Sequence, residues 1–157
     1  MSVKITVGTS GWDKIKKNLL QANQENLKIG WFPNSTYGSD NDNLPVAQVA
    51  QFNEEGSINN PTRPFIRFGF MPKLKGPEYR KVFEASIANV LQGNTTFKSE
   101  YNKLGPVLVK EMKDVITDWD TPPNSPRTIE AKGFDDPLVW TGRMRESVEY
   151  KVERGDD

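Results

Sequence analysis

The chain has 157 residues, the usual length of one domain. Its 21 Lys and Arg residues balance 21 Asp and Glu residues, and this zero net charge excludes a globally basic nucleic-acid-binding protein. The absence of His and Cys excludes disulfides, metal sites built on these residue types, thiol nucleophiles and a Ser-His-Asp triad. We therefore expect a structural or binding protein, with no enzymatic activity and no cofactor.

The N-terminal third predicts strand, helix and strand in succession. Residues 3–7 alternate apolar and polar side chains, as in a half-buried strand, and the turn at 8–11 lacks the ending of a phosphate-binding loop. Apolar residues then recur at helical spacing up to Leu20, and residues 27–32 form a second short apolar run. The first helix carries a basic cluster that we interpret as a solvated face: Lys14, Lys16 and Lys17.

Two polar loops surround the next predicted helix. Residues 33–45 predict an exposed loop, and residues 46–55 predict a helix. Gly56 suits a left-handed stop at its C-terminus, and residues 57–64 predict a second exposed loop.

Residues 63–70 alternate aromatic and other side chains, and Pro64 indicates an edge strand or an extended arm. Three interpretations remain open for the basic and aromatic stretch from Arg63 to Lys75. It is an amphipathic edge strand with core aromatics, a protein–protein interface, or a surface for single-stranded nucleic acid. We favour the first.

Two longer helices follow. Pro77 suits the first position of a helix that ends near Leu91. The next apolar stripe runs from Tyr101 to Trp119 and is the most regular periodic pattern in the chain. The Gly105-Pro106 pair predicts a kink or a restart in this helix. The short connection between the two stripes suggests a helical hairpin.

The C-terminal quarter begins with a long segment that has no clean period. We interpret residues 120–145 as a Pro-rich arm or loop, too apolar to be disordered, which buries its apolar side chains preferentially against a neighbouring subunit. Residues 148–152 alternate strictly and predict a strand, and 154–157 a frayed tail. The expected fold is a single α+β domain, with a mostly antiparallel sheet packed with two longer helices and a short N-terminal helix.

Several motifs in residues 46–153 resemble those of the tail-completion or head–tail joining proteins of tailed bacteriophages, the virion morphogenesis group of neck proteins. Two departures are Trp140, where many relatives have Asp, and Pro106 within a helix. The upstream segments of the resemblance are Gln51-Phe52-Asn53-Glu54-Glu55-Gly56 and Asn60-Pro61-Thr62-Arg63-Pro64-Phe65-Ile66-Arg67. The downstream segments are Pro122-Pro123-Asn124-Ser125-Pro126, Thr128-Ile129, Ala131-Lys132-Gly133, Asp136-Pro137-Leu138-Val139, Thr141-Gly142-Arg143-Met144, Ser147 and Tyr150-Lys151-Val152.

This resemblance implies a structural virion protein that forms a ring, expected to be a hexamer, in the phage neck. With such a ring, the alternative to a solvated face for Lys14, Lys16 and Lys17 is the lumen. Its partners would be further copies of itself, the connector or stopper protein, the tail terminator, and double-stranded DNA that passes through without sequence-specific binding. The alternatives are a neighbouring neck layer, such as a tail terminator or stopper, and a nucleic-acid-binding accessory protein. No window approaches the roughly 18 apolar residues of a membrane span, and we expect assembly in the host cytoplasm.

The resemblance, together with the Pro-rich and aromatic composition of two segments, predicts contacts between subunits or between rings. The expected contact residues are Arg63, Phe65, Arg67, Phe68, Pro122, Pro123, Pro126, Ile129, Phe134, Leu138, Trp140, Arg143 and Met144.

Overall fold

A computed structural model of the chain describes residues 10–22 and 25–155. Over these residues the fold is mixed, with seven α-helices and one antiparallel sheet of two strands. The expected combination of helices with an antiparallel sheet is confirmed at this level, although helices dominate. The predicted strand at 3–7 lies outside the described residues.

The elements in chain order are α1 (Ser10–Ala22), β1 (Glu25–Gly30), a short 3-10 helix (Ser39–Asn41), α2 (Val46–Glu55), a π-helix (Phe65–Phe70), α3 (Met71–Leu74), α4 (Pro77–Leu91), α5 (Phe97–Asp118), α6 (Pro126–Lys132), α7 (Arg143–Glu146) and β2 (Glu149–Arg154).

Both strands of the sheet were predicted, the first from a short apolar run at 27–32 and the second from the strict alternation at 148–152. β1 and β2 pair antiparallel, with Leu27 opposite Val152 and Ile29 opposite Tyr150. Leu27 and Ile29 pack against the core, which fixes the register because a shift by one residue would turn them outward. Arg154, predicted to begin a frayed tail, is instead paired with Glu25 at the end of β2.

Helix α5 is the central element of the core. Its buried stripe includes Leu108, Met112 and Ile116, and it contacts both strands, the π-helix and α7. The helix continues through Pro106, so the predicted restart is wrong. Proline lacks the N–H group that would bond four residues back, and packing on both sides of α5 offsets this loss.

The segment 63–70 is a π-helix and not the predicted edge strand or arm. The Glu54 carboxylate accepts hydrogen bonds from the backbone N–H groups of Ile66 at 2.8 Å and Arg67 at 3.0 Å. Phe65 and Phe70 are buried, whereas Phe68 is exposed. Because a π-helix bonds residues five apart, Phe65 and Phe70 lie one turn apart, and the alternation of aromatics was misleading.

The segment 120–145 is also more regular than predicted, because it contains α6 and the first turn of α7. The Ser125 hydroxyl caps α6 by accepting from the backbone N–H of Thr128 at 3.2 Å. Gly133 ends that helix in the left-handed conformation. A helix of seven residues is too short to show a periodic pattern, which is why the sequence suggested an arm.

The two predicted loops around α2 are mostly exposed. Arg63 is buried, so the predicted exposure of residues 57–64 is wrong at this position. Gly56 ends α2 as predicted. Its φ of 81° is positive, but its ψ of 170° places it outside the left-handed helical region, which corrects the predicted conformation. A Cβ at this position would lie 2.6 Å from the Thr62 hydroxyl oxygen, so the turn requires glycine.

Helix α4 runs antiparallel to α5. Near the start of α4, the Tyr79 hydroxyl donates to Glu111 of α5 at 2.8 Å, and near its end Ser86 bonds Glu100 at the start of α5. Helix α1 packs on the other side of α4, where the Asn18 amide donates to the Val90 carbonyl at 2.7 Å.

Candidate binding groove

The described chain has a groove of about 920 Å³. Its walls are the loop 37–44, helix α2, the loop 59–63, the Pro-rich segment that precedes α6, and residues 137–144. We call it the proline groove, because Pro61, Pro122, Pro123 and Pro137 line it. Seven of the thirteen predicted contact residues also line it: Arg63, Pro122, Pro123, Leu138, Trp140, Arg143 and Met144.

Arg63 connects two parts of the chain that lie about 60 residues apart in sequence, and its side chain is 5% exposed. Its Nε donates to the Pro122 carbonyl at 3.0 Å, and its Nη2 donates to the Pro123 carbonyl at 3.3 Å and to Asn124 Oδ1 at 3.3 Å. Both segments belong to the resemblance described above, and this arginine joins them at the floor of the groove.

The charge of Arg63 is balanced by Asp135. Burial lowers the pKa of Arg63, and the Asp135 carboxylate acts in the opposite direction. The same carboxylate accepts from the backbone N–H of Asn124 at 3.0 Å and from its side-chain amide at 3.1 Å. Asn124 is thereby held on both sides, which fixes the Pro-rich wall. Arg63 and Asn124 are buried in this network, and removing one partner of a buried hydrogen bond typically costs about 1–3 kcal/mol.

A second cation, Lys132, lies at the end of α6. Burial lowers its pKa; the neighbouring Asp136 and Asp135 raise it, and Arg63 lowers it further. Burial raises the pKa of Asp136, against the opposing effect of Lys132. The ammonium group donates to the backbone carbonyl of Asp136 and lies 4.9 Å from the ring centroid of Phe134. Two carboxylates therefore stand near this lysine.

The opposite wall carries Arg143, Trp140 and Tyr37. The exposed Arg143 donates from Nε to the Thr36 carbonyl at 3.1 Å, and within residues 10–22 and 25–155 no carboxylate lies within ion-pair distance of it. Burial raises the pKa of Tyr37, and the positive charge of Arg143 opposes that shift. Trp140 is 63% exposed. This wall presents a cation beside two aromatic rings.

The remaining predicted contact residues lie outside the groove lining. Phe65 is buried in the core, and Arg67 forms an ion pair with Glu54 at 3.6 Å. Pro126 and Ile129 belong to α6, while Phe68 and Phe134 are exposed. The lysines of the basic cluster, Lys14, Lys16 and Lys17, are all exposed on α1.

The burial of Arg63 and Phe65 also bears on the single-strand-binding interpretation of residues 63–75. That interpretation needs basic and aromatic side chains in alternation on one surface. The structure instead divides them between the core and the surface of a π-helix.

Tyr37 and Lys132 are among the groove residues that sequence reasoning missed. Nothing in the polar loop around Tyr37 marks it. Lys132 had a signal, because Ser125-Pro126 is a helix start and Gly133 a helix stop. These signs place Lys132 in the last turn of a short helix, next to Asp135 and Asp136.

The polar side chains of the groove lining are cations, asparagine amides and hydroxyls, next to apolar side chains. Over the described residues, no group of three or more His, Cys, Asp or Glu side chains is arranged to hold a metal ion. In the same part of the chain, every helix is too short or too polar to cross a membrane. Comparison of the chain with protein families, curated proteins and solved structures finds no significant match.

Proposed function

We propose that this protein is a structural subunit of the neck of a tailed bacteriophage. In this proposal six copies form a ring between the connector side of the DNA-filled head and the tail, and the genome passes through without sequence-specific contacts. The observation that carries the proposal is the convergence of predicted contact residues on the proline groove. Two motifs of the resemblance meet there at Arg63, as expected of one structural unit.

Exposed apolar side chains support a role in assembly. Trp140, Phe68 and Trp12 are 63%, 67% and 70% exposed. Large apolar side chains at a surface are typical of sites that a partner covers, since aromatic residues are enriched in protein interfaces.

A ring also needs two different surfaces on every subunit, one of which fits the other on the next copy. Exposed apolar side chains on separate elements of the described chain offer such surfaces: one is a stripe on α1 formed by Trp12, Leu19 and Leu20, and another is Phe68 on the π-helix. The proline groove with Trp140 is then left for a neighbouring neck protein. Residues 12, 19 and 20 are spaced by seven and eight positions, so they lie on one face of the helix.

The decisive experiment is electron microscopy of particles that assemble without this protein. We expect DNA-filled heads and finished tails that remain separate, because the joining layer is missing. Normal virions that form without the protein would contradict the proposal.

A pair of variants connects the phenotype to the groove. Trp140→Ala should reduce the fraction of joined particles, because it removes the exposed ring from the contact. Val107→Ala is the matched control, since Val107 is 50% exposed on α5 but does not line the groove. If both variants join heads and tails equally well, the proline groove is not the contact surface.

A further inference from the structure

The proline groove has a charge that the chain as a whole lacks. The chain carries equal numbers of acidic and basic residues. The described lining of the groove, however, includes three cations, Arg63, Lys132 and Arg143, and no Asp or Glu. A concave surface lined by charges of one sign attracts ligands of the opposite sign.

The three cations are not equivalent. Arg63 is bound by carbonyl groups and faces Asp135, and Lys132 lies near both Asp135 and Asp136. Arg143 is exposed, and its only hydrogen bond from the guanidinium in the described chain goes to the Thr36 carbonyl. The guanidinium of Arg143 is therefore the group best placed to receive a carboxylate from outside. Arginine binds carboxylates through two parallel hydrogen bonds, which adds geometric selectivity.

The rest of the groove surface suits a peptide. Trp140 and Tyr37 line the groove together with Arg143, and four prolines add rigid apolar surface to the same lining. The exposed residues Asn59 and Asn60 lie at the rim, where side-chain amides can both donate to and accept from a peptide backbone. Clustered basic side chains beside apolar pockets are a recurrent way to recognise acidic peptide motifs.

A nucleic-acid strand fits less well. It carries a phosphate at every nucleotide, so it requires several unpaired cations in a row. Here two of the three cations already face carboxylates of the chain. A peptide that carries one or two acidic residues among apolar ones matches the single unpaired arginine.

We infer that the proline groove binds an extended acidic peptide segment of a partner protein, with a carboxylate of that segment held by Arg143 and an apolar side chain packed on Trp140. This inference rests on the proposed function, which makes the groove a contact between proteins.

The test begins with the selection of displayed random short peptides on the immobilised full-length protein. The most frequent selected peptide, carrying a fluorophore, is then the probe for anisotropy titrations. We expect selected sequences to be enriched in Asp and Glu. Selected sequences no more acidic than the library would overturn the inference.

Two substitutions then locate the contact. Arg143→Gln should weaken probe binding by about tenfold, which corresponds to about 1.4 kcal/mol. Arg127→Gln is the control, because Arg127 is exposed on α6 outside the groove lining and should leave binding unchanged. Replacing the acidic residues of the probe by Asn or Gln should weaken its binding to the unsubstituted protein. The same replacement should not weaken the binding of the probe to the Arg143→Gln variant any further, as expected in a double-mutant cycle of two residues that contact each other.

The probe-side substitution needs no altered protein, so the inference remains testable even if Arg143→Gln fails to fold. Equal affinities of the acidic and amidated probes would overturn it. Displacement of the probe by oligothymidine at lower concentration than by the peptide would assign the groove to nucleic acid. Self-association abolished by Arg143→Gln, without peptide binding, would assign it to a second copy of the chain. Either result overturns the inference.

The experiments can reject the acidic-peptide inference and the proposed neck function separately. Peptide binding is measured on the isolated protein, whereas the neck function is measured on particles. Separate heads and tails with no acidic-peptide binding would reject only this inference. Normal virions formed without the protein would reject the neck function, whatever the peptides do.

Discussion

Helices α4 and α5 both have an apolar stripe in the sequence, and the structure uses the two stripes in opposite ways. On α5 the stripe is buried, with Ile116 fully inaccessible. On α4 only Val90 is buried, while Val82 and Ile87 are 43% and 46% exposed. Periodicity therefore identifies the apolar face of a helix but not what covers that face.

Whether the apolar face of a helix is buried depends on the elements that pack against it. The sheet, the π-helix and α7 surround α5, whereas α4 contacts α1, α3 and one side of α5. The exposed remainder of the α4 stripe lies in the same part of the fold as the exposed residues of α1. This part of the molecule is less completely packed than the core around α5.

The largest effect is expected in the core of α5. Ile116→Ala removes a side chain with no exposed area and leaves a cavity, so we expect a loss of about 2–5 kcal/mol in the free energy of unfolding. Urea denaturation followed by circular dichroism measures this change. A loss below about 1 kcal/mol would show that α5 is not the centre of the core.

The contact between α5 and the sheet can be tested at Gly105. A Cβ at this position would lie 2.3 Å from Cδ2 of the Tyr150 ring, so Gly105→Ala should destabilise the protein by about 1–3 kcal/mol. Gly11→Ala in α1 is the matched control, because no atom lies within 4 Å of its Cβ position. That variant should be neutral or stabilising, since Ala favours helix by about 1 kcal/mol over Gly. Equal effects at both glycines would contradict the close approach of Tyr150.

The same chemical change on α4 should have a smaller effect. Ile87→Ala should reduce the free energy of unfolding by less than about 1 kcal/mol, because Ile87 is already half exposed. The measurement is the same urea denaturation as for Ile116→Ala, which makes the two helices directly comparable. A loss as large as that at Ile116 would mean that the α4 stripe is covered, and the contrast between the helices would disappear.

The smallest effect concerns how the stability of the protein depends on pH through Glu100, which lies at the contact between α4 and α5. The Lys103 ammonium lowers the pKa of Glu100 below its usual 4.5, and the Thr95 and Ser86 hydroxyls lower it further, while burial opposes them. Because the folded state binds the proton more weakly than the unfolded state, Glu100 stabilises the protein above pH 4.5. This contribution is lost as the pH falls through the folded pKa.

Thermal unfolding between pH 7 and pH 3 measures this contribution. We expect the stability of the Glu100→Gln variant to decline less steeply than that of the unsubstituted protein as the pH falls. Glu55→Gln, at an exposed position on α2, serves as the control. Identical pH profiles for the Glu100→Gln variant and the unsubstituted protein would show that Glu100 does not stabilise the contact between α4 and α5.

Local patterns predicted several elements because their causes are local. The apolar run that begins at Leu27 and the alternation around Tyr150 predicted the two strands, and Pro77 marked the first residue of α4. The prediction failed at 63–70, where the helical conformation depends on Glu54, which lies outside the segment it caps. A single-sequence pattern contains no sign of such a partner.

The candidate site was predicted in composition but not in arrangement. Arg63, Trp140 and Arg143 were expected contact residues, and all three line the proline groove. Their roles differ, because Arg63 is held inside by the Pro122 and Pro123 carbonyls while Trp140 and Arg143 remain exposed. Burial and hydrogen-bond partners depend on contacts between distant segments, which the sequence does not specify by itself.

By itself, the sequence determined the balanced charge, the lack of His and Cys, the two strands, and the apolar faces of α4 and α5. These properties depend on composition and on periods of two or 3.6 residues. Only the tertiary structure decided that α5 is covered and α4 is not, that Glu54 caps a π-helix, and that Arg143 lacks a carboxylate partner in the described chain. The physical reason is that burial and charge pairing are properties of neighbours in space, which chain order does not encode directly.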